Sequence, residues 1–432
     1  MEITVIGGGL AGVEAAYQIA QKGVPVTLYE MRPLIFTPAH KTDLLSELVC
    51  SNSFKSSELT NAHGLLKEEL RTFKSIILRA ADATSIPGGK ALVVDRKRFS
   101  EIVAREIESN PLIKVVRKEI TSIPPKDITI IATGPLTSDT LSEKIKEITG
   151  SENLSFFDAI APIVDGETID MERCFFGSRY MAGADDYLNC PLTEDEYNIF
   201  YDELVTAKRV IMRDFEKVPY FEGCLPIEVM AERGKQTLLF GPMKPVGITD
   251  THSKQQPFAV IQLRREDAEG RMYNIVGFQT KLTYTEQDRI FRLIPALKNA
   301  SFLRYGSIHR NTYINSPSVI NDHLQHKDKN NIFFAGQITG VEGYIESTAT
   351  GLIAGIAAYM HLTGRHFFAP PPETCTGALL KYITTKTTNF QPMNINFGLV
   401  KNYNKKQKDR VVKNALSAIM EWKTRIDASA KF

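Results

Sequence analysis

The chain has 432 residues, of which 43% are hydrophobic and 24% charged, the composition of an ordinary water-soluble globular protein. That length is more than one hydrophobic core fills, so two domains are expected. A net charge of +2 excludes a global field for nucleic acid and leaves only a local patch for RNA, and no apolar run reaches the roughly 18 residues of a membrane span.

The first element is ITVIGGGLAGVEAAYQIAQKGVPVTLYE, residues 3–30. No basic region precedes its apolar start, so it reads as a strand and not as a secretory signal. Ile3 to Ile6 predicts a strand, Gly12 to Lys22 a helix and Val24 to Tyr29 a second strand closed by Glu30. Gly7, Gly9 and Gly12 form G-x-G-x-x-G between the first strand and the helix, and strand, helix, strand and acid in register are far more specific than the glycines alone. Gly7 permits the tight turn, Gly9 lets the backbone approach a pyrophosphate on the helix N-terminus, and Gly12 lets helix and strand pack closely. Gly8, Leu10 and Ala11 lie in the same turn and belong to the same dinucleotide contact, while Glu30 is placed to accept from an adenosine ribose. A glutamate here, so near residue 1, leans towards FAD over NAD.

LVCSNSFKS, residues 48–56, puts Cys50 between an apolar pair and a hydroxyl-rich run of Ser51, Asn52 and Ser53 that ends in Lys55. Lys55 reads equally as a solvated loop lysine. DITIIATGP, 127–135, is a buried strand ending at Gly134. CPLTEDEYNIFYDELV, 190–205, opens with a proline turn and a capping box from Thr193 to Glu196, then continues as an amphipathic helix. Cys224 lies in VPYFEGCLPIEVMAERG, and on its own reads as a packed structural thiol. FAVIQLRRED and RMYNIVGFQT alternate as strands.

RYGSIHRNTYI, 304–314, carries Arg304, His309 and Arg310 with Asn311 and Tyr313, a basic, aromatic, amide-bearing segment that reads either as a binding loop or as a strand edge with satisfied side chains. NIFFAGQITG, 331–340, is a strand ending in glycine-rich turn chemistry at Gly336 and Gln337, and Gln337 stands where an acid is usual. From Ser347 the next stretch reads as an Ala-, Gly- and Ile-rich helix whose N-terminus favours the electron-rich end of a flavin, with Tyr344 either stacked on the isoalloxazine or packed under a loop. The tail, 401–426, predicts a helix with Lys401, Lys405, Lys406, Lys408, Arg410 and Lys413 in its first half; these suit phosphates, but taken alone a solvated face is favoured.

These elements give an α/β fold, a Rossmann-like domain from residues 1–154 and 326–432 with an inserted α+β substrate domain over 155–325; the segments 127–135 and 331–340 resemble those of flavoproteins of glutathione-reductase type, which implies that the first domain binds FAD in that way. Five cysteines without a CxxC pair argue against zinc or a thioredoxin-like motif, no metal site is expected, and free thiols point to a reducing cytoplasm.

Together, IGGGLAGVEAA, ELVCSNSFKS, ADATSIPGGKALVVDR, FEGCLPIEVMAERG, LLFGPMKPVGI, GFQTKLTY, FLRYGSIHRNTYI, FAGQITGVEGYIES and NFQPMNINFG closely resemble the folate- and FAD-dependent tRNA (uracil-5-)-methyltransferases, the TrmFO family, over residues 5–398. The related GidA/MnmG family shares the flavin domain but is longer. The resemblance implies methylenetetrahydrofolate as carbon donor, NADH or NADPH as reductant and 5-methyluridine in the tRNA T-loop as product, with Cys224 as nucleophile and Cys50 as base, or the reverse. With it, Ser51, Asn52, Ser53 and Lys55 become donors for a thiolate, folate or phosphate, Arg304, His309 and Arg310 contacts to folate glutamate or RNA phosphate with a tyrosine on a base, and the inserted domain the RNA-binding one. Cys174, Cys190 and Cys375 are left as structural. A ribosomal RNA uridine as target, a flavin-dependent thiol oxidoreductase and a non-catalytic RNA-binding flavoprotein stand as alternatives, and oligomeric state is open.

Overall fold

The computed structural model describes residues 2–125, 127–150, 154–181, 183–210, 225–387 and 390–429. Its first sheet is parallel, with strands in the spatial order Ile332–Phe334, Ile128–Ile131, β1 (Ile3–Ile6), β2 (Val26–Glu30) and Ile113–Arg117. β1 and Ile128–Ile131 are buried along their whole length, as continuous Ile/Val runs in a sheet covered on both faces must be. The helix α1 (Leu10–Gln21) crosses from β1 to β2, which makes this the Rossmann-like sheet expected, with the ligand position at the carboxyl ends of its strands.

The helix Tyr344–Leu362 packs along α1 at unusually short range. A Cβ on Gly351 would stand 2.3 Å from the Ala11 carbonyl oxygen, and one on Gly355 2.7 Å from that of Ala15. This helix begins three residues before the predicted Ser347, because Gly343, at φ +115°, turns the chain into it. Tyr344 therefore sits in a helical first turn.

A second, antiparallel sheet runs in the order Phe175–Gly177, Tyr187–Leu192, Ala259–Arg265, Met272–Ile275, Ile163–Asp165, Phe302–Arg304. It has its own hydrophobic cluster, built around Tyr197, Phe200, Phe278 and Phe291. Pro191 lies inside a strand of this sheet and does not make the expected turn; the Thr193–Glu196 capping box does open the helix Glu194–Thr206. A two-stranded ribbon, Leu154–Ile160 against Ser307–Tyr313, carries the chain out of the first sheet and back. The segment 304–314 is thus mostly strand. Tyr313 is buried, packs 5.9 Å from Phe390 and donates to its carbonyl, so it is not free to stack on a base. Past the ribbon, Ile314, Val319, Ile320 and Leu324 belong to the core of the parallel sheet.

The tail helix starts at Lys408 and not at 401, after Asn404 caps a short 3₁₀ turn by accepting from Lys406 N–H. It docks through Val411, Val412, Ala415, Ile419, Trp422 and Ile426, with Trp422 Nε1 donating to the Phe368 carbonyl at 2.6 Å. Among the described residues no helix is long and apolar enough to cross a membrane.

Candidate active site

At the carboxyl ends of the parallel strands a pocket is lined by Gly7, Gly8, Gly9, Leu10, Ala11 and Glu30 from the first βαβ unit, Gly134 from the second crossover, and Gly336, Gln337, Tyr344 and Ser347 from the last. Segments far apart in sequence thus meet around one cavity. Gly12 lies just behind it. A Cβ there would fall 1.9 Å from the Gly7 carbonyl oxygen, so the residue keeps helix against turn and does not face the ligand. Gly7, at φ +109°, passes so close to the Ala132 carbonyl oxygen that a Cβ would stand at 2.4 Å. Gly9 is the opposite case: nothing lies within 4 Å of its would-be Cβ. It begins α1 with no side-chain cap and no acid in the first turn, so the first N–H groups face the cavity. Open space against unpaired N–H groups at a dipole's positive end fits the diphosphate of a dinucleotide such as FAD.

Glu30 lines the pocket beside the glycine turn with its carboxylate already engaged. It accepts from Gly8 N–H at 3.0 Å and from Arg32, through backbone N–H and Nε, at 3.0 Å each. Burial pushes this acid up, but the Arg32 hydrogen bond and charge outweigh it and hold the pKa below the usual carboxylate value. Arg32 also reaches Glu47 at 3.0 Å, fixing the wall opposite the glycine turn. A ribose hydroxyl would therefore join an occupied carboxylate. Sequence reading missed Arg32, although it follows Glu30 by two residues.

Cys50 is half-buried and follows Val49, which lines the same cavity, in a loop held from several directions. The Tyr344 hydroxyl accepts from the N–H groups of Cys50 (3.0 Å) and Ser51 (3.2 Å) and donates to the Ser51 carbonyl at 2.9 Å. Its ring packs 5.5 Å from Phe54. This tyrosine both lines the pocket and clamps the cysteine loop. Arg304 donates to the Val49 and Cys50 carbonyls at 3.2 Å each, and Arg96 to those of Leu48 and Cys50. Burial, followed by the charge of Arg96, lowers the Arg304 pKa to about 10. Arg304 is thus a support of the loop, facing backbone oxygens where a free substrate contact was expected.

Residues of the antiparallel sheet complete the clamp. Arg264 Nε donates to Asn52 Oδ1 at 2.9 Å, Asn52 Nδ2 donates to the Arg265 carbonyl at 2.9 Å, and fully buried Glu266 pairs with Arg96 at 2.7 Å. The Cys50 loop is therefore the joint between the two sheets.

Ser53 turns its hydroxyl to the Lys55 N–H at 3.1 Å. Lys55, at φ +61°, extends its ammonium to 4.0 Å from fully buried Glu346, where His63 Nε2 also stands at 3.6 Å. Gln337 donates to Glu342, a carboxyl that burial and then Asp158 push well above its ordinary pKa. The amide thus supplies a donor where an acid would meet an acid. His309 shares a 2.9 Å hydrogen bond with Ser307, and Arg310 lies next to it in the ribbon strand. Cys224 falls outside the described residues. Cys174 and Cys190 are buried with sulfurs 3.5 Å apart, and Cys375 is buried against Ala62. No cluster of potential metal ligands occurs among the described residues.

The family model described as glucose inhibited division protein A matches residues 2–366. Two relatives carry the name Methylenetetrahydrofolate--tRNA-(uracil-5-)-methyltransferase TrmFO. That of Syntrophus aciditrophicus is 54% identical over 433 residues, spanning 99% of this chain and 98% of its own length. That of Aquifex aeolicus is 55% identical over 427 residues, spanning 98% and 96%. The crystal structure of Aquifex aeolicus GidA, form II, superposes with a TM-score of 0.72 at 17% identity, covering all of this chain and 74% of that one, a likeness of fold.

Proposed function

Because the chain belongs to the TrmFO family, we propose that it methylates C5 of a uridine in the tRNA T-loop, with methylenetetrahydrofolate as carbon donor, FAD as cofactor and NADH or NADPH as reductant. When bound, FAD supplies the electron pair that takes the transferred carbon from the methylene to the methyl level. The chain's own part is to make a poor nucleophile react. Addition of a thiolate at uracil C6 moves electron density to C5, which then takes up the one-carbon unit. The C5 proton must then leave to a base, and the thiol is eliminated. Cys224 is assigned the addition and Cys50 the proton, with the exchanged roles as the alternative.

The observation that carries this reading is the clamped Cys50 loop, which reaches the glycine-lined pocket through Val49 and is tied to it by Tyr344. A clamp of this kind holds a reacting group in place at little entropic cost during reaction. The backbone N–H groups after Gly9 are assigned the FAD diphosphate and Glu30 the ribose, while Gly134, Gly336, Gln337 and Ser347 border the rest of the cofactor. Lys55, His309 and Arg310 are assigned folate or RNA phosphate. The parallel-sheet domain is assigned the cofactor and the antiparallel insertion the substrate side. A cytoplasmic location fits four free cysteines among the described residues.

The test uses tRNA carrying 5-fluorouridine, in which C5 has no proton to lose. Cys224→Ala should lose both methylation and covalent trapping, whereas Cys50→Ala should lose methylation but keep trapping. The reverse pattern exchanges the roles, and methylation surviving both changes overturns the reading.

A further inference from the structure

Resting on the RNA-methylation reading, we propose that the start of the tail helix, with the turn before it, is a docking surface for the sugar–phosphate backbone of the RNA substrate. Lys401 stands 3.6 Å from Glu373, but four other cations there are not spent on the protein. Lys405, Lys406, Arg410 and Lys413 are exposed, and none of them forms an ion pair among the described residues. The far end of the same helix differs, since Lys423 pairs with Asp427 at 2.8 Å and Asp427 also holds Lys22. Arg410 and Lys413, three apart, share one face of the helix, and Lys405 and Lys406 stand in the turn just before it. Val411, Val412, Ala415 and Ile419 bury the opposite one.

A solvated lysine face would end there, but this surface is also shaped. Asn402, Asn404, Gln407 and Asn414 line a shallow groove with Arg410 and Val411. Amides supply both donors and acceptors, which suits ribose hydroxyls as well as phosphate oxygens, and neighbouring cations supply the charge. An anionic membrane would need an exposed apolar face beside the cations.

The position also connects to the pocket. The tail helix packs on the helix Ala62–Thr72, and Lys408 Nζ reaches the Thr60 carbonyl at 3.5 Å. His63, in the first turn of that helix, and Lys55 both face Glu346, two residues after Tyr344 in the helix whose first turn clamps the Cys50 loop. The groove is thus linked through the helix Ala62–Thr72 to the helix whose first turn clamps the Cys50 loop.

The test is tRNA binding by the full-length, flavin-loaded protein as a function of salt, for wild type, for K405E/K406E/R410E/K413E and for the milder K405Q/K406Q/R410Q/K413Q. Bound-flavin absorbance and the thermal midpoint show that each variant is folded. The charge-reversed protein should bind at least tenfold more weakly. Four lost phosphate contacts should also flatten the slope of log affinity against log salt by about 3. The glutamine variant should move in the same direction by less. Methylation should fall through KM for tRNA and be restored at saturating RNA. Unchanged affinity and slope in both variants would overturn the surface while leaving the activity intact. A wild-type protein that forms no 5-methyluridine would overturn the reading beneath it as well.

Discussion

Replacing Tyr344 by Phe removes one oxygen and keeps the ring against Phe54. That oxygen makes three hydrogen bonds to the Cys50 loop, at 2.9, 3.0 and 3.2 Å. At about 1 kcal/mol net for each, the loop loses about 3 kcal/mol of restraint. If the loop must hold this place for reaction, the same energy appears in the barrier, and about 1.4 kcal/mol is tenfold, so methylation should slow by about 10². The assay is single-turnover formation of 5-methyluridine with flavin-saturated enzyme and excess tRNA, which separates the chemical step from cofactor loss. Folding stability should fall by up to the same amount, so the rate is measured well below the thermal midpoint, while Arg96 and Arg304 still hold the loop carbonyls. A Tyr344→Phe enzyme within twofold of the wild-type rate would refute the idea that the clamp serves the chemistry.

Arg96→Met strands Glu266, which is fully buried, and should cost about 3–5 kcal/mol by chemical denaturation, with E266Q in the same chain recovering part of it; an unshifted midpoint would count against the joint between the sheets. Gly12→Ala drives a methyl group into the Gly7 carbonyl, and the purified protein is expected to come without flavin, measured by its visible absorbance; full flavin occupancy would contradict the tight turn. His63 is held neutral, its pKa brought from 6.5 down to about 3 by burial and then by Lys55 and Lys67. Between those values the unfolded chain takes up a proton that the native site refuses, so this contribution is complete above pH 6.5 and is lost as pH falls towards 3. His63→Gln should flatten the acid limb of the stability profile, and identical slopes for the two proteins would disprove the assignment.

The cofactor half of the site was legible because its information is local. Gly7, Gly9, Gly12 and Glu30 sit in one βαβ unit of about thirty residues, where each glycine answers a steric demand of its neighbours. Family resemblance carried the identification beyond that unit, and its fold and relatives agree. The cysteine clamp was hidden for the opposite reason. Its partners stand between 46 and 294 residues from Cys50, and nothing in the RRED stretch marks Arg264 or Glu266 as anything but strand residues. Arg304 was singled out as a cation, but a chain of letters does not say whether a guanidinium meets a ligand or a carbonyl. Tyr344 and the tail were misjudged at their boundaries. One turn depends on Gly343 at a positive φ, and the other on an asparagine cap inside a lysine run.

The central claim is that the methyl carbon on uridine C5 comes from folate and reaches RNA through this protein. It is tested most directly by incubating the flavoprotein with unmodified tRNA, carbon-labelled methylenetetrahydrofolate and NADH, then digesting the RNA and weighing its nucleosides. The account predicts label in 5-methyluridine, and none when Cys50 is replaced by alanine. Unlabelled 5-methyluridine, or label that appears equally with the Cys50→Ala protein, would contradict it.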